Sequence, residues 1–225
     1  MNLFDFHTHI PPQRSGTEFM LNVSIGQVPS GISACSVGLH PWDVMPSWRE
    51  PFEQLRTDAV LPNVWAIGEC GLDALRGGEM PLQIEAFRAQ VRLADMVGKP
   101  VLVHCVRAFE VLLRLHKEWR PQQPWIVHGF RGKPALAQQI MAKGMLLSFG
   151  HVFQAETLKM VATSEIPFYL ETDCAEVSIR EVYRLAESVL GGQSLFPRGS
   201  ADGLPFSGPL AEHVLVGRPT CQCGD

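Results

Sequence analysis

Along most of this chain, short apolar runs alternate with longer segments in which apolar and charged residues are mixed. Residues 80–97 are one such mixed segment, and their apolar positions repeat about every 3.6 residues, as on one face of an amphipathic helix. The later part of the chain repeats the alternation regularly, with predicted strands at residues 100–104, 124–128, 145–150 and 167–173 and predicted helices at 108–119, 133–143, 155–163 and 176–190. Apolar strands that alternate with helices indicate a parallel sheet covered by helices.

The earlier part of the chain follows the same pattern with one irregularity. It predicts strands at residues 4–9, 34–38 and 64–69, a helix at 48–60 and a weaker strand near 19–25. The connection that leads to residue 33 is too short for a good crossover helix, so we expect one helix of the usual repeat to be missing or reduced to a turn. Seven or eight strand and helix units favour a closed α/β barrel over an open doubly wound sheet, and no glycine-rich dinucleotide motif follows the first strand.

Polar residues of the types that bind metal ions follow the predicted strands at the same point each time, the carboxyl end. His7 and His9 are two residues apart in a strand, so their side chains point to the same face and form a chelating pair. The other strand-end residues are His40, Glu69, His104, His128 and Asp173. In a barrel of parallel strands these ends converge on the face where active sites lie. A single histidine after an apolar run is more often a packing or loop residue, but chance does not account for the whole set.

Six of these residues are predicted to form a two-metal site. One ion would be held by His7, His9 and Asp173 and the other by His104 and His128, with Glu69 bridging them. Such nitrogen and oxygen ligands suit Zn, Mn, Ni or Mg. Two ions about 3.5 to 4 Å apart can activate one water molecule and stabilise the attacking and leaving oxygens. Glu69 and Asp173 are therefore the catalytic candidates, and Asp173 is expected to orient and deprotonate the water.

Other polar residues near the strand ends have two interpretations each. His40 either supports the site or contacts a phosphate, or it fixes its own loop. Asp5 and Glu171 lie two residues before a predicted ligand and either support it or are buried packing residues. Arg107 and Arg131, together with Lys133, either contact a phosphate or are solvated loop residues. Asp73 is a better candidate for a loop or helix cap than for catalysis.

Composition and charge narrow the class of protein. With 225 residues of which 46% are hydrophobic, the chain can bury one sizeable core. A net charge of -4 argues against a broad surface for duplex nucleic acid but leaves room for a local phosphate site. We find no signal-peptide pattern and no apolar run near the roughly 18 residues of a membrane span, so we expect a cytosolic protein with no membrane partner. The strand cysteines are expected to be reduced thiols.

Several blocks of this sequence resemble the signature motifs of TatD-like metal-dependent hydrolases. The blocks occur in order at residues 4–9, 38–42, 66–73, 100–104, 127–132 and 170–173, within a match that spans about residues 1–190. The resemblance implies a distorted TIM (β/α) barrel of the amidohydrolase superfamily, here with an abbreviated first β/α unit. It also implies divalent metal ions at the six positions named above and, often, deoxyribonuclease activity on single-stranded ends.

The chain departs from this family pattern after residue 190. We expect residues 1–190 to form the barrel and residues 191–225 to be a divergent, poorly ordered tail, because no helical or strand period continues there. The closing helix that family members carry is not recognisable. We therefore expect a divergent or frame-shifted ending that leaves apolar barrel surface uncovered. Cys221 and Cys223 in this tail are more consistent with an incidental pair than with a metal site.

Three functions remain open from the sequence. The leading one is a divalent-metal-dependent deoxyribonuclease that cleaves phosphodiester bonds at exposed or single-stranded DNA ends through a water activated by two metal ions. The first alternative is a hydrolase of a small-molecule ester, lactone, amide or phosphoester at the same metal centre, which the acidic charge balance and short loops favour. The second is a degenerate, non-catalytic or poorly folding family member. We expect a monomer, although nothing in the sequence fixes the oligomeric state.

Overall fold

Eight parallel strands form the sheet around which the described part of the chain is built. In the computed structural model, the described residues are 3–12, 17–164, 166–192, 195–197, 210, 213 and 215–216. The parallel strands pair in sequence order and are β1 Leu3–Thr8, β2 Thr17–Val23, β3 Cys35–Val37, β4 Val64–Asp73, β5 Val101–Val106, β6 Trp125–Val127, β7 Leu146–Phe149 and β8 Phe168–Leu170.

The sheet curls into a nearly closed barrel, with β1 returning to the end of β8. Thr8 and Asp173 form an isolated parallel bridge. The Asp173 N–H donates to the carbonyl oxygen of His7 at 2.8 Å, and the His9 N–H donates to the carbonyl oxygen of Asp173 at 3.0 Å. The predicted α/β barrel is therefore confirmed, and its seam lies beside candidate metal ligands.

Helices cover the barrel from the third strand onward. They are α1 Arg49–Asp58, α2 Met80–Val97, α3 Phe109–Trp119, α4 Pro134–Met141, α5 Ala155–Thr163 and α6 Ile179–Val189, with a 3₁₀ turn at Pro41–Asp43. Residues 24–34, between β2 and β3, form turns and no helix. The predicted shortening of the repeat near the start of the barrel is thus present, because so short a connection does not accommodate a covering helix.

Alternating strand residues divide the core into two layers. Side chains inside the barrel include Phe6, Leu102, Ile126 and Tyr169, and the Phe6 and Tyr169 rings stack with centroids 4.1 Å apart. Strand residues of the opposite parity pack against the helices in a larger apolar cluster. Because successive side chains of a strand point to opposite faces, one apolar run supplies both layers.

Described residues of the C-terminal segment contact the barrel. Strand β9, Phe196–Pro197, pairs with β10, Leu215–Val216, and β10 is antiparallel to β8. Leu210 is buried, and its carbonyl oxygen accepts a hydrogen bond of 2.9 Å from the Tyr169 hydroxyl. The predicted domain boundary at residue 190 and the poor order of the tail stay predictions, and Cys221 and Cys223 lie outside the described residues.

Among the described residues, no helix combines the length and the apolar character needed to cross a lipid bilayer.

Candidate metal centre

The Glu69 carboxylate lies at the centre of a histidine cluster at the carboxyl ends of the strands. Its side chain is almost fully buried on β4. Oε2 of Glu69 lies 3.4 Å from Nε2 of His7 and 3.3 Å from Nε2 of His9. Its other oxygen, Oε1, faces a second group of imidazole nitrogens, those of His40 at 3.2 Å, His104 at 2.8 Å and His128 at 2.8 Å. One carboxylate therefore lies between two groups of candidate ligands, and its predicted role as a bridge between two ions stays a prediction.

The first group consists of His7, His9 and Asp173 around the Oε2 side. Oδ1 of Asp173 lies 3.6 Å from Nε2 of His7 and 3.5 Å from Nε2 of His9. The ring nitrogens of His7 are fully buried and form no hydrogen bond. A buried polar atom without a partner is costly, and a divalent cation between His7 and the two carboxylates would supply one. The residues on this side thus fit a metal ion.

The second group contains His40 in addition to the predicted His104 and His128. The ligand atoms of His40, Glu69 and His104 lie within 4.8 Å of one another, as do those of His7, His9 and Glu69. Nδ1 of His40 also accepts a hydrogen bond of 3.2 Å from the backbone N–H of Trp42. The structure therefore places His40 in both of its proposed settings, because it fixes its loop with one nitrogen and faces Glu69 with the other.

The charges within the cluster hold its carboxylates in the ionised form. Burial by itself would raise the pKa of Glu69, but the charge of His128 and hydrogen bonds with the facing imidazoles hold that pKa well below its ordinary value. Burial lowers the pKa of His7, yet Asp173 and Glu69 together raise it to about 9. The pKa of Asp173 is lowered despite burial because His7 faces it. Ionised carboxylates are the form in which Glu69 and Asp173 can bind a divalent cation.

Glu171 and Asp5 support the cluster in different ways. Oε1 of Glu171 lies 3.2 Å from Nδ1 of His128, and the Ser148 hydroxyl donates to its other oxygen. Asp5 instead accepts hydrogen bonds from the backbone N–H of Thr172 at 2.9 Å and from its hydroxyl at 2.6 Å. Glu171 therefore orients an imidazole, whereas Asp5 fixes the chain next to Asp173.

Two further supporting contacts were not expected from the sequence. Oδ1 of Asn22 accepts hydrogen bonds from the backbone N–H of Glu69 at 3.1 Å and from the Ser36 hydroxyl at 2.9 Å. Oδ2 of Asp73 lies 3.3 Å from Nε2 of His104, so Asp73 holds that ring as well as capping its own loop. The only sequence signal for Asn22 was a polar residue within an apolar strand.

Arg107 and Arg131 lie in the loops after β5 and β6. Both side chains are exposed, as is that of Lys133. Neither arginine forms an ion pair with a described residue. These cations are available to an anionic group approaching the open end of the barrel.

A nearly closed parallel β/α barrel with histidines and carboxylates at its strand ends defines a barrel protein with a candidate divalent-metal centre. The sequence model of the family described as "TatD related DNase" matches residues 17–182. The chain belongs to this TatD family, as its motifs indicated.

Relatives of this chain carry nuclease names. Over 114 residues the chain is 39% identical to a "3'-5' ssDNA/RNA exonuclease TatD" of Cronobacter turicensis, a match that covers 50% of this chain and 43% of that protein. Over 138 residues it is 35% identical to the protein of the same name from Klebsiella pneumoniae, covering 59% and 52% of the two chains. The matches thus span about half the length of these curated relatives.

Two solved structures share the fold. The TatD homolog YJJV from Escherichia coli K12 superposes with a TM-score of 0.67 at 21% identity, covering 84% of this chain and 90% of its own. A hydrolase of the TatD family from Entamoeba histolytica gives 0.57 at 17% identity, covering 76% and 73% of the two chains. At these identities the similarity describes the barrel rather than its chemistry.

Proposed function

We propose that this protein is a divalent-metal-dependent deoxyribonuclease that cleaves phosphodiester bonds at exposed or single-stranded DNA ends. The observation that carries the proposal is the Glu69 carboxylate, whose two oxygens face two groups of ligand-type side chains. Membership of the TatD family supports the reaction class, and the names of the exonuclease relatives support a single-stranded substrate.

The described side chains suit two divalent ions, such as Mg, Mn, Zn or Ni. His7, His9 and Asp173 would hold one ion, His104 and His128 the other, with Glu69 shared between them. When bound, such ions lower the pKa of water and offset the charge that develops on phosphoryl oxygens. His40 would then either complete the second group or contact the substrate phosphate, since its Nε2 already faces the shared carboxylate.

Asp173 is the proposed proton acceptor. Its side chain is 32% exposed and so is open to solvent at the barrel mouth, unlike the buried Glu69. As the oxygen of a water molecule forms a bond to phosphorus and the bond from phosphorus to the leaving oxygen breaks, one water proton passes to the Asp173 carboxylate and the leaving oxygen takes up a proton from solvent. Arg107 and Arg131 are proposed to hold the phosphates of the strand, because both are exposed and free of ion pairs with described residues.

Hydrolysis of a small phosphoester at the same centre is the second candidate. It is favoured by the short connection between Asp173 and α6, residues 174–178, which leaves no long loop there to hold a strand.

The cytosolic location and the monomeric state also stay predictions.

The test is hydrolysis of an end-labelled single-stranded oligonucleotide with and without Mg²⁺ or Mn²⁺. We expect metal-dependent shortening that a chelator stops and that Glu69→Gln and Asp173→Asn each reduce at least about 10²-fold. Glu53→Gln, at an exposed carboxylate of α1, is the matched control and should retain the wild-type rate. A wild type that binds metal but cleaves only a small phosphoester would replace the nuclease with the second candidate.

A further inference from the structure

Exposed apolar side chains lie in the loops around the open end of the barrel. They include Ile10 after β1, Trp42 after β3, Leu75 after β4 and Val152 after β7. Trp42 is the aromatic member of this set, and 46% of its surface is exposed. The Trp42 side chain has no part in the proposed metal binding or proton transfer. It nevertheless lies next to the site, two residues after the candidate ligand His40.

The indole of Trp42 is held in place from the side of the metal centre. Its Nε1–H donates to Oδ2 of Asp73 at 2.6 Å, the same oxygen that faces His104. Its ring meets those of His40 and His104 edge-on, at centroid distances of 4.8 and 6.0 Å and interplanar angles of 83° and 76°. Because the ring is already fixed, a ligand that packs on it loses little affinity to ordering the side chain.

A positive charge accompanies the ring. The guanidinium carbon of Arg76 lies over one face of the Trp42 ring, 4.9 Å from its centroid, and Arg76 is exposed. Among the described residues, no aromatic ring lies parallel to this indole. The Arg76 side chain is exposed, so a base can take the place of its guanidinium on the indole. The displaced cation is then free to meet a phosphate, next to the candidate ligands His40 and His104.

Resting on the proposed nuclease function, we propose that Trp42 stacks on a base of the bound single strand next to the cleaved bond, with Arg76 meeting the adjacent backbone. Aromatic rings beside cations are how proteins hold single strands without reading their sequence, because every base offers a flat face. A small aliphatic ester offers no such plane. Stacking on Trp42 would therefore make the enzyme prefer a strand that carries a base at this position.

The first measurement compares kcat/KM for two end-labelled strands that differ only in an abasic site at the nucleotide next to the cleaved bond. The wild type should cleave the base-containing strand about tenfold better. Trp42→Ala should bring this ratio close to one, while Trp42→Phe should keep most of it. Trp42→Ala also removes the hydrogen bond to Asp73, and that loss would slow the cleavage of both strands equally. The ratio of the two kcat/KM values therefore separates a loss of stacking from a disturbance of His104. Met96→Ala, which removes a 77% exposed side chain of α2, should leave the ratio unchanged.

The second measurement records binding without hydrolysis. A phosphorothioate-linked strand with 2-aminopurine at the same position should lose fluorescence on binding the wild type in Mn²⁺, and should keep it with Trp42→Ala. An unchanged ratio in Trp42→Ala, or no quenching by the wild type, would overturn the stacking proposal. If the wild type cleaves neither strand, the proposed nuclease function is wrong. The fluorescence measurement then still decides whether a base stacks on Trp42.

Discussion

At the scale of single residues, the site depends on how Glu69 is held. Its oxygens face imidazole nitrogens on both sides, while its backbone N–H donates to Asn22 of β2, which is separated from β4 by β3. Such supporting contacts set the orientation of a ligand and hence the affinity of a metal site. The same logic applies to His128, whose second nitrogen faces Glu171.

Glu171→Gln should weaken metal binding without removing a ligand. Glu69 and, after it, Glu171 raise the pKa of His128, and the amide removes the second of these charges from the ring. We therefore expect about a 10- to 100-fold loss of Mn²⁺ affinity. Titration calorimetry on the metal-free protein measures this directly. Glu176→Gln, at an exposed carboxylate shortly after Asp173, is the control and should bind like the wild type. Equal affinity in Glu171→Gln would mean that Glu171 is a packing residue.

The residue-level prediction that follows from position along a strand is one of geometry alone, and the metal-binding roles stay predictions. Glu69 and His104 were expected to converge because parallel strands end on one face. The hydrogen bonds of Asn22 and Ser148 could not be predicted, because each depends on the register between strands. The contact between His40 and Glu69 could not be predicted either, because it depends on how the loop after β3 folds back.

At the scale of elements, β4 and β5 leave no room for a side chain at two glycines beside the candidate metal centre. Gly68 and Gly71 flank Glu69 on β4, with φ values of 145° and 148°. A Cβ atom at Gly71 would overlap the carbonyl oxygen of His104. Glycine is therefore needed here both for its backbone conformation and for the close contact that brings His104 to Glu69.

Gly71→Ala should destabilise the protein by about 3 kcal/mol or more, because the added methyl group forces β4 and β5 apart and the backbone conformation is strained. Denaturant unfolding of the metal-free protein measures the loss. Gly31→Ala serves as the control, since a Cβ atom there meets nothing within 4 Å, and its stability should stay close to that of the wild type. A Gly71→Ala variant of wild-type stability would contradict the close approach of the strands.

Helix α2 connects two of the loops that carry the site. The Gln90 amide accepts from the Leu39 N–H at 2.7 Å and donates to the Leu39 carbonyl at 3.1 Å, next to His40. Gln83, on the same helix, accepts from the Asp73 N–H at 2.8 Å. The apolar period predicted this helix at residues 80–97. It did not predict that two buried glutamines of the helix bind the loops of the site, because periodicity indicates burial and not hydrogen-bond partners.

At the scale of the whole molecule, the barrel is joined at a narrow seam that contains part of the candidate site. Strands β1 and β8 are connected through the hydrogen bonds of Asp173 with His7 and His9, and β10 pairs with β8 on the edge opposite β7. The alternation of strands and helices was enough to predict the barrel. The short antiparallel β10 was not predicted, because so brief a pairing leaves no period in the sequence.

The central claim is that Glu69 is the shared ligand of a divalent-metal centre. The most direct test is the number of Mn²⁺ ions bound per chain and their affinities, measured by titration of the metal-free wild type and of Glu69→Gln, with Glu53→Gln as control. The account predicts two ions for the wild type and the control, and at least about tenfold weaker binding at both positions for Glu69→Gln. Wild-type stoichiometry and affinity in Glu69→Gln would contradict it.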